Sequence, residues 1–309
     1  MIISLLPVFL LLAIGFVSRK TGIIGEPAIL GLKNVLIKIG LPAALFSAFA
    51  TADMRVENGW IFLFVFLFCV VLYGVGGLLH QLLPGLFPDE YTNGYFTGFE
   101  FGMIGIGLFT AIWGMEKLPT IAMIALGHEV FIWFVYVPVL EARKTGRIQL
   151  GNTLRNFFRT PTVVAILLGI GVNISGTYPL FSSKLLGQAL INGLKITSGL
   201  VAPLILLVIG YSFTFKRIPL GKSIALLVTR WAVVLAIGTL LLSLMLRLVD
   251  VDPFFSTAFF AFILLPPPFI LPLFMKPALK KEIAFFSELL LYYTVLSFVA
   301  YVVFMTIQA

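Results

Sequence analysis

Few side chains in this sequence can do chemistry, so those that can stand out against an apolar background. Glu100 interrupts the glycine-rich stretch Thr97-Gly98-Phe99-Glu100-Phe101-Gly102-Met103-Ile104-Gly105-Ile106-Gly107 and has no basic neighbour in sequence. A carboxyl group taken out of water can exchange a proton or hold a cation, and that is the functional reading of Glu100. The plainer reading is a hydrogen bond that braces the local backbone. His128 and Glu129 are adjacent in another apolar stretch, and Lys38 and Arg230 stand deep in two more. Either cation is a candidate countercharge for Glu100 or for an anionic cargo. His-Glu opens the pattern of a zinc hydrolase, but the position of its second histidine is Ile132. Metal chemistry is therefore rejected, and no cofactor is expected. As neighbours on a helix, His128 and Glu129 point about 100° apart. They read as a structural pair first and a proton relay second. Without a Ser-His pair or a metal-ligand cluster, the sequence gives no sign of an enzyme.

The second chemical signal lies in the backbone. Leu265-Pro266-Pro267-Pro268-Phe269 is followed by Pro272. Proline inside a helix removes a hydrogen bond and clashes with the preceding turn, at about 3 kcal/mol. Three in succession cannot sit in a continuous helix. The glycine-rich run around Glu100 is the second interruption, although its glycines also suit close helix packing. Two interrupted apolar segments in corresponding places are the sequence pointer to a solute site near the bilayer midplane. Half-helix N-termini there offer N–H donors to an anion, and C-terminal carbonyls suit a cation.

The elements that must position these groups follow from composition. Of 309 residues, 60% are hydrophobic and 11% are charged. A soluble domain could not cover that much apolar surface, whereas lipid solvates it. At about 20 apolar residues per crossing, ten helices are expected near 2–18, 31–50, 60–80, 94–113, 118–140, 161–177, 190–213, 223–247, 254–275 and 285–307. The net charge of +8 does not point to nucleic acid, because the basic residues fall between the apolar runs. Thirteen lie in odd-numbered connections, among them Arg143, Lys144, Arg147, Arg155 and Arg159, against four in even-numbered ones, Arg55, Lys117, Lys184 and Arg247. Retention of positive charge inside then places both termini outside. Arg19 and Lys20 follow the first apolar run rather than precede it, so that run reads as a helix and not a signal peptide. The single cysteine, Cys69, reads as a small buried apolar group.

The longest basic connection divides the chain into a first five-helix half, 1–140, a linker, 141–160, and a second half, 161–309. With an odd number of crossings each, the halves run in opposite senses. Gly31-Leu32-Lys33 before Pro42 is echoed by Gly193-Leu194-Lys195 before Pro203, in the second and seventh segments. Asn173 and Asn192, near the outer ends of their segments, read as helix caps.

Several motifs taken together resemble the auxin efflux carrier family of permeases, related to PIN-type auxin transporters and to the bile acid, arsenite and riboflavin transporter superfamily. They are Leu5-Leu6-Pro7-Val8-Phe9 to Gly15-Phe16, Leu41-Pro42-Ala43-Ala44-Leu45-Phe46, Arg159-Thr160-Pro161 to Gly169, Ala202-Pro203-Leu204 to Gly210, and Leu265-Pro266-Pro267. The resemblance implies an all-α membrane protein with two inverted five-helix repeats and broken, crossed fourth and ninth helices. It implies elevator-like alternating access for a small organic anion such as auxin, malate or malonate. Carried over by position, the substrate site is Phe99, Glu100, Gly102 and Gly105 with Pro266, Pro267 and Pro268. The family's usual proline at the fourth-helix break, often beside serine or asparagine, is replaced here by Phe99-Glu100. The expected activity is secondary transport of an organic anion at a plasma or inner membrane, with H+ or Na+ exchanged at Glu100. A second copy of the chain is an admissible partner. The alternatives are a sodium-coupled symporter of the bile-acid type and a membrane sensor that binds solute without moving it.

Overall fold

An apolar run in lipid must satisfy its own backbone, which helices do within a single segment. The computed structural model describes residues 2–52, 57–87, 90–146, 151, 155, 158–212, 220–276 and 278–308, and no strand occurs among them. The helices are α1 (Ile2–Thr21), α2 (Glu26–Ala50), α3 (Glu57–Leu82), α4 (Thr92–Phe96), α5 (Ile106–Trp113), α6 (Met115–Lys144), α7 (Pro161–Ile174), α8 (Thr177–Ser182), α9 (Leu185–Ser212), α10 (Leu220–Leu248), α11 (Phe254–Ile263), α12 (Leu271–Phe274) and α13 (Lys280–Gln308). Six of them (α2, α3, α6, α9, α10 and α13) are long and apolar enough to cross a membrane. Leu168, Ile196, Val228 and Val303 are exposed, as lipid-facing side chains must be.

Prolines shape the long helices. A wide π-helical turn over Leu36–Gly40 precedes Pro42, and another over Ile132–Tyr136 precedes Pro138. The loosened turn makes room where a proline ring would strike the carbonyl four residues back.

The connections sort into two groups. Arg19 at the end of α1 donates to the carbonyls of Tyr211 and Ser212 at the end of α9. Arg143, beyond the core of α6, donates to Glu90 O and to Asn93 Oδ1, and Lys276 pairs with Glu90 at 3.0 Å. Lys222 stands over the ring of Phe285. These contacts all join odd-numbered connections to one another or to the segment ends beside them. The even-numbered ones meet separately. Lys117 lies over Phe254 at 4.7 Å, and Nδ2 of Asn173 in α7 donates to the carbonyls of Phe49, Ala50 and Ala52 at the end of α2. Asn173 is thus a cap, as expected, but of a neighbouring helix rather than its own. Arg55 and Arg147 lie outside the described residues.

Among the helix pairs that pack closely enough to need glycine are α1 with α9 and α7 with α2. Gly15 follows Pro7 by the same interval as Gly169 follows Pro161. A Cβ on Gly15 would strike Leu207 O and Tyr211 N, and one on Gly169 would meet Phe46 O at 2.8 Å and Ala50 N at 3.2 Å. Leu207 and Tyr211 stand in the same register to Pro203 as Phe46 and Ala50 do to Pro42. Gly169→Val is expected to lower stability by about 1–3 kcal/mol through overpacking. Gly31→Ala, with nothing within 4 Å of its Cβ, is expected to change stability by less than about 1 kcal/mol. Thermal unfolding of the two variants in one detergent checks both expectations.

Candidate functional site

The fourth and ninth apolar segments are both interrupted. The fourth runs α4, an extended passage through Thr97–Glu100, a wide turn over Phe101–Gly105, then α5; the ninth runs α11, an irregular passage through the prolines, then α12. Gly98 turns the first passage with φ +70°, which side-chain-bearing residues rarely adopt, and a Cβ there would meet Pro268 Cγ at 2.6 Å. The two interruptions therefore touch.

They also satisfy each other. A run of prolines supplies carbonyls but no N–H groups, so the ninth passage needs outside donors. Glu100 N–H donates to Pro266 O at 2.8 Å, and Phe269 N–H, the first amide after the prolines, donates to Oε2 of Glu100 at 2.8 Å. Gly105 N–H returns to Glu100 O at 3.0 Å, closing the wide turn. Glu100 is half-buried, Pro266, Pro267 and Pro268 are buried, and Gly105 packs against Leu265.

Three further backbone groups of α4 and the fourth passage are taken by side chains from other elements. Arg230 of α10 is 0% exposed, and its Nη1 and Nη2 donate to Tyr95 O at 2.7 Å and Gly98 O at 2.9 Å. Its guanidinium lies over the rings of Tyr95, Phe99 and Tyr293 at 5.3–5.7 Å. A charge so placed is stabilised by carbonyl dipoles at a helix C-terminal end and by aromatic faces. Phe99 N–H donates to Nε2 of His128 at 2.9 Å. Thr97 Oγ1 donates to Cys69 O at 2.6 Å, tying the passage to α3.

Beside the crossing lies a cavity of about 70 Å³, bounded by α2, α6 and α7 and by Phe101, Gly102 and Glu129. It holds a few water molecules or a small ion and is far below the ~300 Å³ of sites for larger ligands. A wider groove of about 660 Å³ between α10, α11 and α13 is lined by apolar side chains such as Leu227, Trp231 and Val303. That lining suits lipid tails.

The sequence-derived site is thus brought together in large part. Glu100, Gly105 and the three prolines meet, Gly102 borders the cavity, and the ring of Phe99 is buried against Phe262, His128 and Arg230 rather than facing the cavity. Arg230 holds backbone carbonyls. Lys38 is exposed on α2 and makes no hydrogen bond or ion pair among the described residues. His128, read as half of a structural pair, also serves the break directly; its spacing of 29 residues from Phe99 leaves no local signal in the sequence. No group of three or more His, Cys, Asp or Glu able to hold a metal occurs among the described residues.

Apolar helices, paired interruptions and a buried polar crossing beside a small cavity define a multi-pass membrane protein. The family model described as membrane transport protein matches residues 1–153 of the chain, just under half of it. The resemblance to auxin efflux carriers is thereby supported. No curated protein matches the chain.

Replacing Arg230 by Met leaves two buried carbonyls unpaired, at about 1–3 kcal/mol each. Arg230→Met is expected to destabilise the protein by that combined amount, and Arg230→Lys, a single ammonium without the planar fork, by an intermediate amount. Unfolding transitions in detergent give the order directly.

Proposed function

We propose that the chain is a secondary active transporter of a small organic anion, moved by alternating access and coupled to a proton at Glu100. The observation that carries this is the hydrogen bond from Phe269 N–H to the Glu100 carboxylate. The first free amide after the triple proline is the donor a cargo carboxylate would seek, and a carboxylate of the protein already occupies it. Cargo and Glu100 compete for one donor. Protonating Glu100 weakens it as an acceptor and removes its repulsion of the anion, so a proton and an anion enter together. The replacement of the family's usual proline by Phe99-Glu100 fits proton symport on this reading.

The finer architecture is part of the proposal: ten crossings in two inverted five-helix repeats, 1–140 and 161–309, joined by a linker at 141–160. Three observations support it. Odd-numbered connections contact one another, even-numbered ones do likewise, and the Gly15 and Gly169 packings have matching registers. In this scheme α1, α2, α7 and α9 form a scaffold, and the elements around the crossing move against it. The excess of basic residues in the odd connections supports a cytoplasmic face there, with the termini outside a plasma or inner membrane.

Proteoliposomes loaded against a panel of labelled small carboxylates, with imposed pH or sodium gradients, test the reading. Wild-type uptake of at least one carboxylate is expected to rise with an inward proton gradient. In Glu100→Gln the gradient effect is expected to vanish while anion exchange persists. Unchanged pH dependence in that variant would remove the coupling role of Glu100.

A further inference from the structure

The turn at Gly98 orphans backbone groups on both of its sides, and the two sides are held by different chemistry. On the carbonyl side Arg230 donates to Tyr95 O and Gly98 O. A guanidinium stays charged at any physiological pH, so that grip is permanent. On the amide side Phe99 N–H donates to Nε2 of His128, which is 2% exposed. An imidazole nitrogen accepts only while it carries no proton. The ring's single proton is then on Nδ1, which lies 3.4 Å from Oε1 of Glu129 without an aligned hydrogen bond. A proton and the Phe99 amide compete for the same lone pair.

We propose that His128 is a positioning residue for the fourth-segment break, released by protonation: neutral, it holds Phe99 N–H; with a second proton, it lets that amide go. The step is balanced simply. Nδ1 keeps its proton, Nε2 gains one from solvent, and the bond to the amide is lost. The resulting imidazolium faces Glu129, whose side chain is 27% exposed and borders the same cavity as Gly102. A proton that enters the cavity meets Glu129 first, the member of the pair that lines it.

The surroundings of the ring are mixed in sign. Its own helix, α6, contributes Glu129, and the fourth passage contributes Glu100, next to Phe99. From α10 comes Arg230, 5.3 Å from the centre of the Phe99 ring, and from α3 comes Cys69, whose carbonyl accepts from Thr97. From α11 comes the apolar ring of Phe262, 5.4 Å from the imidazole. Of these charged groups Glu129 alone is in contact with the ring. Release frees one side of the break while Arg230 retains the other, so the passage loosens without unravelling. This inference rests on the geometry of the break and not on the carrier reading. It is tested at one amide, whether or not flux is found.

The experiment is hydrogen exchange at the Phe99 amide of the full chain in nanodiscs, at about pH 8 and about pH 5, corrected for the chemical exchange rate. This range spans the second protonation of ordinary imidazoles. In wild type, protection is expected to fall about tenfold or more at the lower pH, the loss of one buried hydrogen bond. His128→Gln, which keeps an acceptor but cannot titrate, is expected to make protection independent of pH. His128→Phe is expected to remove it at both. The chain has two histidines, so ring nitrogen shifts in a His80→Asn background report His128 alone and are expected to show the Nδ1–H tautomer at the higher pH. Protection that stays constant in wild type while the ring gains its proton would overturn the proposal. So would a ring that remains neutral down to about pH 5, or a His128→Phe protein that protects Phe99 as wild type does.

Discussion

A backbone that leaves the helix inside an apolar environment must find a partner for every N–H and C=O it exposes, and the whole centre of this protein is organised around that requirement. The triple proline removes three donors from the ninth segment, and the turn at Gly98 opens the fourth. Each break is completed by the other through Glu100 N–H to Pro266 O and Phe269 N–H to the Glu100 carboxylate. Neither could be straightened alone without orphaning groups on its neighbour. The contact between Gly98 and Pro268 adds a steric reason for the same pairing, since any side chain at 98 would push the two passages apart.

The remaining partners divide by permanence. Arg230 and Thr97 hold their carbonyls at any pH, whereas a proton on Glu100 would weaken it as an acceptor and a proton on His128 Nε2 would take the lone pair that holds the Phe99 amide. Fixed and titratable supports on opposite sides of one break give a structure that keeps its place while part of it yields. A carrier needs that combination, because a site that binds cargo from both sides must change shape without losing its backbone partners.

Much of this was legible in the sequence. Pro266-Pro267-Pro268 dictates a break by itself, and the glycine run around Glu100 marks its counterpart. The apolar runs locate the helices because hydropathy is a property of each segment alone. Pairwise long-range chemistry was harder to read. Arg230 was open between countercharge and cargo ligand because nothing in sequence places it beside Tyr95 O and Gly98 O. Asn173 was recognisable as a cap, but its targets, the carbonyls at the end of α2, lie more than a hundred residues away. The adjacency of His128 and Glu129 is visible in a sequence, whereas the hydrogen bond from Phe99 N–H to His128 exists only once α6 has packed beside the break. Lys38, within an apolar run, is exposed together with its neighbours Ile37 and Ile39.

If the crossing of the two breaks is a solute site, it is reachable from water. Gly102 borders the cavity, and a Cβ there would meet nothing within 4 Å, so a cysteine fits. In a Cys69→Ser background, which removes the only native thiol, Gly102→Cys in sealed vesicles can be challenged with a small impermeant thiol reagent from either side. Modification is expected from each side in turn, slowed when a transported carboxylate is present. A thiol at 102 that stays unreactive from both sides would contradict it.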